Sequence, residues 1–474
     1  MTSTRSARRL VAGVDTSTQS CKVLVCDAET GEVVRQGRAS HPDGTEVHPD
    51  AWWAAYEEAT QDGLLDGVSA IAVGGQQHGM VTLDETDEVV RPALLWNDTR
   101  SAAEATALVD EFGGAQRWAD EVGVVPVASF TITKLRWLRD HEPGNLARTR
   151  SCVLPHDWLT GRILKQGNGF REWVTDRGDA SGTGYWSATT GAYLPELVDL
   201  AIGRELGLPR VLGPTERAGE TADGLVVGPG TGDNAGAALG LELAPGDAVI
   251  SLGTSGTAFA RHDAPVADPS GSVASFADAT GQFLPLLATL NAARVMTAGA
   301  SMLGVDLPEL DRLARAAEPG AGGLTLLPYL DGERTPNLPD AAGTLAGLTR
   351  TNATPENLAR AVVEGMLLNL AEALDHLRGQ GVDVQRVLLI GGAAASTAVR
   401  DNAAGLFGVP VHVPVGGEYV ALGAARQAAA ALTGDGFPTW EVRTDAVLEP
   451  DATQAERIAE IRGRYADLRG RLHG

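Results

Sequence analysis

Cysteines, basic residues and long apolar runs are all scarce in this sequence of 474 residues. Its cysteines, Cys21, Cys26 and Cys152, show no spacing pattern, which argues against disulfides and zinc sites and favours a reduced, cytoplasmic setting. The chain has 38 Lys and Arg against 61 Asp and Glu, a net charge of −23. Nucleic acids and anionic membranes require basic patches, so neither is expected as a partner. No apolar run reaches the roughly 18 residues of a membrane span.

The first ten residues, MTSTRSARRL, contain arginines as the start of a signal peptide does. The apolar stretch that follows is interrupted at Asp15, too early for the hydrophobic region of such a signal. We therefore interpret these residues as a frayed tail.

The order of apolar runs and turns predicts an α/β protein with two related halves. The segment RLVAGVDTSTQSCKVLVCDAETGEVVRQG predicts a β-meander over residues 9–37. A strand, a small-residue turn and a strand recur in GDAVISLGTSGTAFARHD. We therefore predict two domains, 1–243 and 244–474, each opening with a β-hairpin. Helices are predicted in DAWWAAYEEATQDGLL, SAAEATALVDEF, ITKLRWLRDH and the long, periodic ENLARAVVEGMLLNLAEALDHLRGQG.

Both hairpin turns are rich in Thr and Ser, whose hydroxyls, with the backbone N–H groups, suit phosphate. In DTSTQSCK, Thr18 lies in the turn, Lys22 offers a cation for phosphate and Asp15 offers a carboxylate for Mg²⁺. In SLGTSGT, Thr254 and Ser255 lie in the turn. The alternative for each is an ordinary hairpin closed by an Asx or Ser/Thr turn. Two such turns, one opening each half, favour two domains that hold one polyphosphate.

Three further segments carry polar or small residues at breaks after predicted strands. GGQQHGM places Gln77 and His78 where they could bind hydroxyls, although a structural histidine is the alternative. LLWNDTR offers Trp96 as an apolar face for a sugar, with Asp98 nearby. IGGAAAS is consistent with a nucleotide-binding turn but lacks the full GxGxxG pattern, so a plain strand–helix crossover is the alternative.

The segment TGDNAGAALG sets Asp233 and Asn234 among glycine and alanine. Such a pair commonly caps the helix that follows it. The small neighbours also let a ligand approach closely, which would suit a catalytic carboxylate. Both interpretations stay open on these residues alone.

Two longer segments resemble the signatures of a known family. SFTITKLRWLRDH, with Lys134 and Trp137 at fixed positions, and GTLAGLTRTNATPENLARAVVE are similar to those of the FGGY carbohydrate kinases. The hairpins, GDN and IGG follow in the family order, and the resemblance covers residues 9–434. It implies two ribonuclease-H-like domains of the actin/hexokinase type that flank a central ATP/sugar cleft.

The resemblance also implies ATP and Mg²⁺ as cofactors and a sugar as phosphate acceptor. GDNAGAALG, QQHG and YLDGERTP are most similar to the xylulokinase branch, which implies a pentulose phosphorylated at its terminal hydroxyl. Asp233 is then the catalytic base, and Asp15 and Asp233 lie at the metal. The sugar contacts implied are Gln77, His78, Trp96, Asp98, Asp233 and Asn234; the nucleotide contacts are Thr18, Lys22, Thr254, Ser255, Gly391, Gly392 and Ala393.

Two positions depart from the family pattern, since Ser17 and Ala393 stand where glycines are usual. The alternatives within the family are kinases of ribulose, fuculose, gluconate or glycerol. A non-enzymatic ATP switch of the actin or chaperone type is a more remote alternative, since such proteins usually carry an extra substrate domain or filament loops. We keep a homodimer as a hypothesis for the assembly.

Overall fold

The computed structural model of the protein describes residues 8–473. The predicted frayed tail falls mainly on residues 1–7, which lie outside the described residues. Among the helices that are described, none is both long enough and apolar enough to cross a membrane.

Groups of strands and groups of helices follow one another in the described residues up to Leu243. The strands are β1 (Leu10–Thr16), β2 (Ser20–Asp27), β3 (Val33–Ser40), β4 (Glu46–Val47), β5 (Val68–Gly75), β6 (Val81–Leu83), β7 (Ala93–Leu94), β8 (Ser151–Val153), β9 (Val174–Thr175), β10 (Trp186–Ser187), β11 (Ala192–Tyr193), β12 (Arg210–Val211), β13 (Gly219–Glu220), β14 (Val226–Val227) and β15 (Thr231–Gly232). The helices are α1 (Asp50–Ala59), α2 (Ala102–Glu111), α3 (Ala115–Glu121), α4 (Thr131–His141), α5 (Pro143–Arg148), α6 (Pro155–Gln166), α7 (Arg177–Ser181), α8 (Pro195–Ile202) and α9 (Asp233–Gly240).

The remainder of the chain contains longer helices. Its strands are β16 (Asp247–Leu252), β17 (Gly256–Ala260), β18 (Ala274–Ala277), β19 (Phe283–Thr289), β20 (Thr325–Leu327), β21 (Thr344–Ala346), β22 (Arg386–Ile390), β23 (Val411–Pro414) and β24 (Thr444–Leu448). Its α-helices are α10 (Ala293–Leu303), α11 (Leu307–Ala316), α12 (Pro355–Gly379), α13 (Thr397–Phe407), α14 (Tyr419–Thr433) and α15 (Ala455–His473), with short 3₁₀ helices at Ala321–Gly323, Gly392–Ala395 and Ala452–Gln454.

The predicted meander is confirmed as β1–β2–β3, and the predicted helices appear as α1, α2, α4 and α12. The long helix α12 begins after Thr354, whose side chain accepts from the N–H of Asn357, and has Pro355 in its first turn. It ends at Gly379, and Gly381 just beyond has φ +84°, a left-handed conformation that glycine adopts without strain.

Two large sheets share one arrangement of strands. In the first, β1 pairs antiparallel with β2 and parallel with β5, and the order β3–β2–β1–β5–β14 runs across the sheet. In the second, β16 pairs antiparallel with β17 and parallel with β22, in the order β19–β17–β16–β22–β23. Both sheets therefore share a core of three antiparallel strands followed by two parallel ones, to which further edge strands are added. This repetition confirms the predicted α/β class with two related halves.

Strand β1 is buried along nearly its whole length, because helices cover both of its faces. The helix α14 approaches so closely that a Cβ on Gly13 would lie 1.9 Å from the carbonyl oxygen of Ala421. A Cβ on Gly423 would likewise lie 1.9 Å from the carbonyl oxygen of Gly236, in α9. Small residues on α14 thus fix α9, which begins at Asp233, against the first sheet.

The chain divides into two compact units. The first contains the described residues up to Leu243 together with Asp263–Leu284 and Gly417–Glu441. The second contains Ala244–His262, Pro285–Gly416 and the described residues from Val442 onward. The predicted division after residue 243 coincides with the end of the first long segment of the first unit. Two later segments, Asp263–Leu284 and Gly417–Glu441, also belong to that unit. The domain boundaries themselves stay a prediction.

Candidate active site

Three parallel strands of the first unit end at one edge of its sheet. The register pairs Asp15 of β1 with Gly74 of β5, and Gly74 with Thr231 of β15. The residues that follow these strand ends are therefore neighbours, although they are far apart in sequence. This edge brings together three segments predicted for the site: the first hairpin turn, the Gln77–His78 segment and the segment that begins at Asp233.

Asp233 is the first residue of α9 and is partly buried. Its Oδ1 accepts from the backbone N–H and the side-chain amide of Asn234, both at 2.8 Å. Its Oδ2 accepts no hydrogen bond from another residue that the structure describes. Burial, together with the nearby Asp15 carboxylate, raises the pKa of Asp233 to about 7. One carboxylate oxygen is thus anchored while the other can accept a proton near neutral pH.

The capping interpretation of this pair is wrong. The N-cap of α9 is Gly232, and no side chain caps it. Asp233 and Asn234 lie within the first helical turn instead, and Asp233 bonds to the N–H of the next residue. A negative charge in the first turn also interacts favourably with the helix dipole.

Asp15 lies at the end of β1 and is 2 % exposed. It accepts from the hydroxyl of Ser17, and its Oδ2 lies 3.4 Å from Nζ of Lys22. Burial raises the pKa of Asp15, while Lys22 acts in the opposite direction. Lys22 also pairs with Glu418 at 2.6 Å. Lys22 is therefore held between two carboxylates beside the first turn.

The first hairpin turn, residues 17–19, contacts the predicted sugar segment. The indole N–H of Trp96 donates to the hydroxyl of Thr18 at 2.8 Å. Asp98 is buried, and its carboxylate accepts from Arg100 and from the hydroxyl of Thr45 at 2.8 Å. These bonds hold the Asp98 side chain within the loop. A sugar hydroxyl would have to compete with Arg100 for the Asp98 carboxylate, and this sugar contact stays a prediction.

Gln77 and His78 are both buried, and the side chains of both form hydrogen bonds with backbone carbonyls in and directly after α7. The Gln77 amide donates to the carbonyl of Gly178 at 3.4 Å. His78 Nδ1 lies 2.6 Å from the carbonyl oxygen of Gly182, which can only accept, so Nδ1 carries the proton. His78 has φ +67°, a strained conformation for a non-glycine residue, of a kind that clusters at functional sites.

The sequence reasoning overlooked the segment VTDRGDASGT, which contains α7. Its Asp176 and Asp179 form a buried group of charges with His156 and Asp157 of α6. The signal that could have revealed it is its similarity to TGDNAGAALG, since both set aspartate among glycine and alanine.

The second unit presents a matching edge with a different chemistry. The turn 253–255 joins β16 to β17, and parallel pairing of Ser251 with Ile390 sets this turn beside Gly391. Gly391 has φ +92°, and a Cβ there would lie 2.6 Å from the backbone of Leu252. The residues predicted for the nucleotide, Thr254, Ser255, Gly391, Gly392 and Ala393, thus share one edge of this sheet, and none is charged. Their contacts with a nucleotide stay a prediction.

A divalent metal fits the first unit only as part of a metal–phosphate complex. Within residues 8–473, no group of three or more His, Cys, Asp and Glu side chains could hold a metal by itself. Mg²⁺ commonly uses one or two carboxylates and completes its coordination with phosphates and water. That Asp15 and Asp233 form such a pair stays a prediction; burial and then the Asp15 carboxylate raise the pKa of Asp233, and a cation would offset both effects.

Comparison with known proteins identifies the family. Models of the FGGY family of carbohydrate kinases match with the N-terminal domain at residues 10–238 and the C-terminal domain at 248–432. The xylulose kinases of Streptomyces coelicolor and Streptomyces rubiginosus are 47% and 46% identical, over 97% of this chain and 96% of theirs. The crystal structure of xylulose kinase from Bifidobacterium adolescentis superposes with a TM-score of 0.90 at 46% identity, covering 98% of this chain and 100% of that one. The chain therefore belongs to the FGGY family of carbohydrate kinases.

Proposed function

We propose that this protein is a xylulokinase, which transfers the γ-phosphoryl group of ATP to the terminal hydroxyl of D-xylulose and produces D-xylulose 5-phosphate. The similarity to xylulose kinases over nearly the whole chain supports this substrate. The observation that carries the proposal is the Oδ2 of Asp233, which accepts no hydrogen bond from another residue within 8–473 and lies on the sheet edge that also presents Gln77 and His78.

In the proposed reaction, Asp233 accepts the proton of the terminal hydroxyl as the sugar oxygen forms its bond to the γ-phosphorus. The bond from phosphorus to the bridging oxygen breaks, and ADP leaves with that electron pair. A pKa of about 7 suits this step, because the group is then ionised near neutral pH yet still basic enough to take a proton. Such a base contributes on the order of 10²–10⁴-fold to the rate.

The Mg²⁺ of the proposed reaction would be held by Asp15 and Asp233. When bound with ATP, the ion neutralises negative charge on the phosphates. Asp15 is pre-positioned for this role by Ser17 and Lys22. Lys22 would contact phosphate with Thr18, and an incoming phosphate would compete with Glu418 for its ammonium group.

Sugar recognition is proposed for the loop that carries Gln77 and His78. Its side chains are held by backbone carbonyls, so little conformational entropy is lost when a hydroxyl binds. Trp96 is half-buried beside the first turn and offers its ring to the apolar face of the sugar.

The test is a coupled assay of ADP release with D-xylulose, D-ribulose, L-fuculose, gluconate and glycerol, each against ATP alone. We expect the highest kcat/KM with D-xylulose and only slow ADP release without a sugar. Preference for another acceptor would overturn the substrate while the kinase activity stands. ADP release that no acceptor accelerates would favour an ATP switch.

A cytoplasmic location and a homodimeric assembly complete the proposal. Cys21, Cys26 and Cys152 are free and buried, which is compatible with a reducing compartment. Light scattering after size-exclusion chromatography, over a range of concentrations, measures the assembly directly. A mass near 98 kDa, about twice the 49.2 kDa of one chain, is the dimer's expected value.

A further inference from the structure

A buried charged group lies behind the proposed sugar-binding loop. His156, near the start of α6, is fully buried, and its Nδ1 lies 2.6 Å from Oδ2 of Asp179 in α7. Its Nε2 lies 3.3 Å from Asp157 and 3.7 Å from Asp176. Three carboxylates thus surround one imidazole in a place without water access.

The three carboxylates accept hydrogen bonds from different partners, and only Asp179 accepts its hydrogen bond from His156. Asp176 accepts from the N–H groups of Gly178 and Asp179, and so caps α7. Asp157 accepts from the N–H of Leu154. The carboxylate of Asp179 accepts only from His156 among the described residues, and its Oδ1 has no hydrogen bond. The bond between His156 and Asp179 therefore joins α7 to α6 directly.

The helix α7 in turn holds the side chains proposed for the sugar. The carbonyl of Gly178, within α7, accepts from Gln77. The carbonyl of Gly182, directly after α7, accepts from His78. A displacement of α7 would consequently move both acceptors and release both side chains.

His156 also packs against two glycines near the sheet edge, through its ring at Gly230 and through its Cβ at Gly75. A Cβ on Gly75 would lie 2.9 Å from the Cβ of His156, and a Cβ on Gly230 would lie 2.3 Å from its Cδ2. Gly75 directly precedes the Gln76–Gln77–His78 segment, and Gly230 lies three residues before Asp233. Only glycine at position 230 leaves room for the ring, so His156 packs directly against the segment that leads to Asp233.

We propose that His156 is a positioning residue for sugar binding, and that its positive charge, paired with Asp179, holds α7 and the Gln77–His78 loop in the productive arrangement. The imidazolium balances part of the negative charge of three buried carboxylates. Burial opposes this charge, but Asp157, Asp179 and Asp176 outweigh it and raise the pKa of His156 to about 10. The proposal rests on the proposed function in so far as the loop is the sugar site.

The experiment compares His156→Gln, Asp179→Asn and the double variant with wild type, in kcat and in KM for sugar and for ATP. We expect each single variant to raise the sugar KM by about 10- to 100-fold, because displaced binding groups cost that much. The ATP KM should change less than about twofold. The double variant should be no worse than either single variant, because both remove the same interaction.

A rescue and a control separate positioning from simple stability. His156→Lys keeps the positive charge and should restore the sugar KM to within about threefold of wild type. Glu364→Gln breaks the buried pair of Arg360 and Glu364, 2.7 Å apart in α12, and should lower the thermal midpoint without changing the sugar KM.

Several outcomes would overturn the inference. These are an unchanged sugar KM in a folded His156→Gln or Asp179→Asn protein, equal changes in both KM values, or a Lys variant no better than Gln. If neither neutral variant folds, the pair is structural and the inference is also wrong. The proposed function is tested separately, since all variants are assayed with whichever sugar the wild type prefers; failure of D-xylulose would overturn only the substrate.

Discussion

The two hairpin turns of this protein have the same topology and different chemistry. Residues 17–19 join β1 to β2 in the first unit, and residues 253–255 join β16 to β17 in the second. Beside the first turn lie Asp15, Lys22 and Glu418, which form a chain of ion pairs. The residues predicted for the nucleotide at the second edge are uncharged. The two edges thus differ in their predicted site residues, which include charged side chains at the first edge and only uncharged ones at the second.

The contrast extends to the strand that follows in each sheet. In the first unit, the parallel neighbour β5 leads into Gln77 and His78, whose polar groups are fixed by carbonyls. In the second, the parallel neighbour β22 leads into Gly391, where the backbone itself turns in a left-handed conformation. Polar side chains therefore form the first edge, whereas the path of the backbone shapes the second.

The largest expected effect is the loss of the base. Asp233→Asn keeps the shape of the side chain but cannot accept the proton, so kcat should fall by about 10²–10⁴-fold. The KM for ATP should stay within about twofold, as measured by initial rates over a matrix of both substrates. An enzyme that keeps its wild-type kcat after this substitution would place the base elsewhere.

Loss of His78 should be the next largest effect and should fall on the sugar. His78→Ala removes the bond to Gly182 and the packing against Phe130, whose ring centroid lies 4.7 Å away. An unpaired hydroxyl costs about 1–3 kcal/mol, or roughly 5- to 150-fold in kcat/KM for the sugar. Thr254→Ala, in the second unit, is the counterpart and should raise only the ATP KM. If both variants raised the KM of the same substrate, the assignment of sugar binding to the first unit and of ATP binding to the second would be wrong.

The backbone of the second edge can be tested with two adjacent glycines. Gly391→Ala places a Cβ 2.6 Å from the backbone of Leu252 at φ +92°, which should cost about 1–3 kcal/mol of strain. Gly392→Ala is the matched control, because a Cβ there meets nothing within 4 Å. Chemical denaturation should show a loss of stability for Gly391→Ala and none for the control, and the ATP KM should rise for Gly391→Ala. Equal behaviour of the two would mean that this turn tolerates a side chain.

The smallest expected effect is a pH dependence of kcat/KM, which should arise from the carboxylates at the edge of the first sheet. Because the pKa of Asp233 is raised to about 7, kcat/KM should fall by about tenfold per pH unit below that value, as the base becomes protonated. Asp15 contributes to the shift, so Asp15→Asn should move this limb toward lower pH while it weakens activation by Mg²⁺.

The same shift has a consequence for stability. Folding raises the pKa of Asp233, so the folded state holds this proton more tightly and loses stability as the pH rises through about 7. Asp233→Asn should therefore be more stable than wild type above that pH, as measured by denaturant titration. A variant that is less stable at pH 8 would mean that the ionised carboxylate makes a stabilising contact.

Much of the fold could be predicted because its signals are local. The hairpin of β1 and β2 is read from apolar runs separated by a short polar turn, and α12 from its periodicity and its closing glycines. Asp15, Gln77 and Asp233 could be singled out because each follows or ends an apolar strand among small residues. The capping role failed for Asp233 and Asn234, because the backbone enters the helix one residue earlier, at Gly232.

The sequence by itself determined the two α/β halves, the hairpin turns and the residue types available for phosphoryl transfer, since strand periodicity and turn composition act over a few residues. Only the tertiary structure decided which distant residues meet. It returned α14 to the first unit, because its small residues fit against Gly13. It also joined His156 to Asp179 and set α7 beneath Gln77, about 100 positions away in the sequence. Such contacts depend on the order and register of the strands, and no local pattern encodes that order.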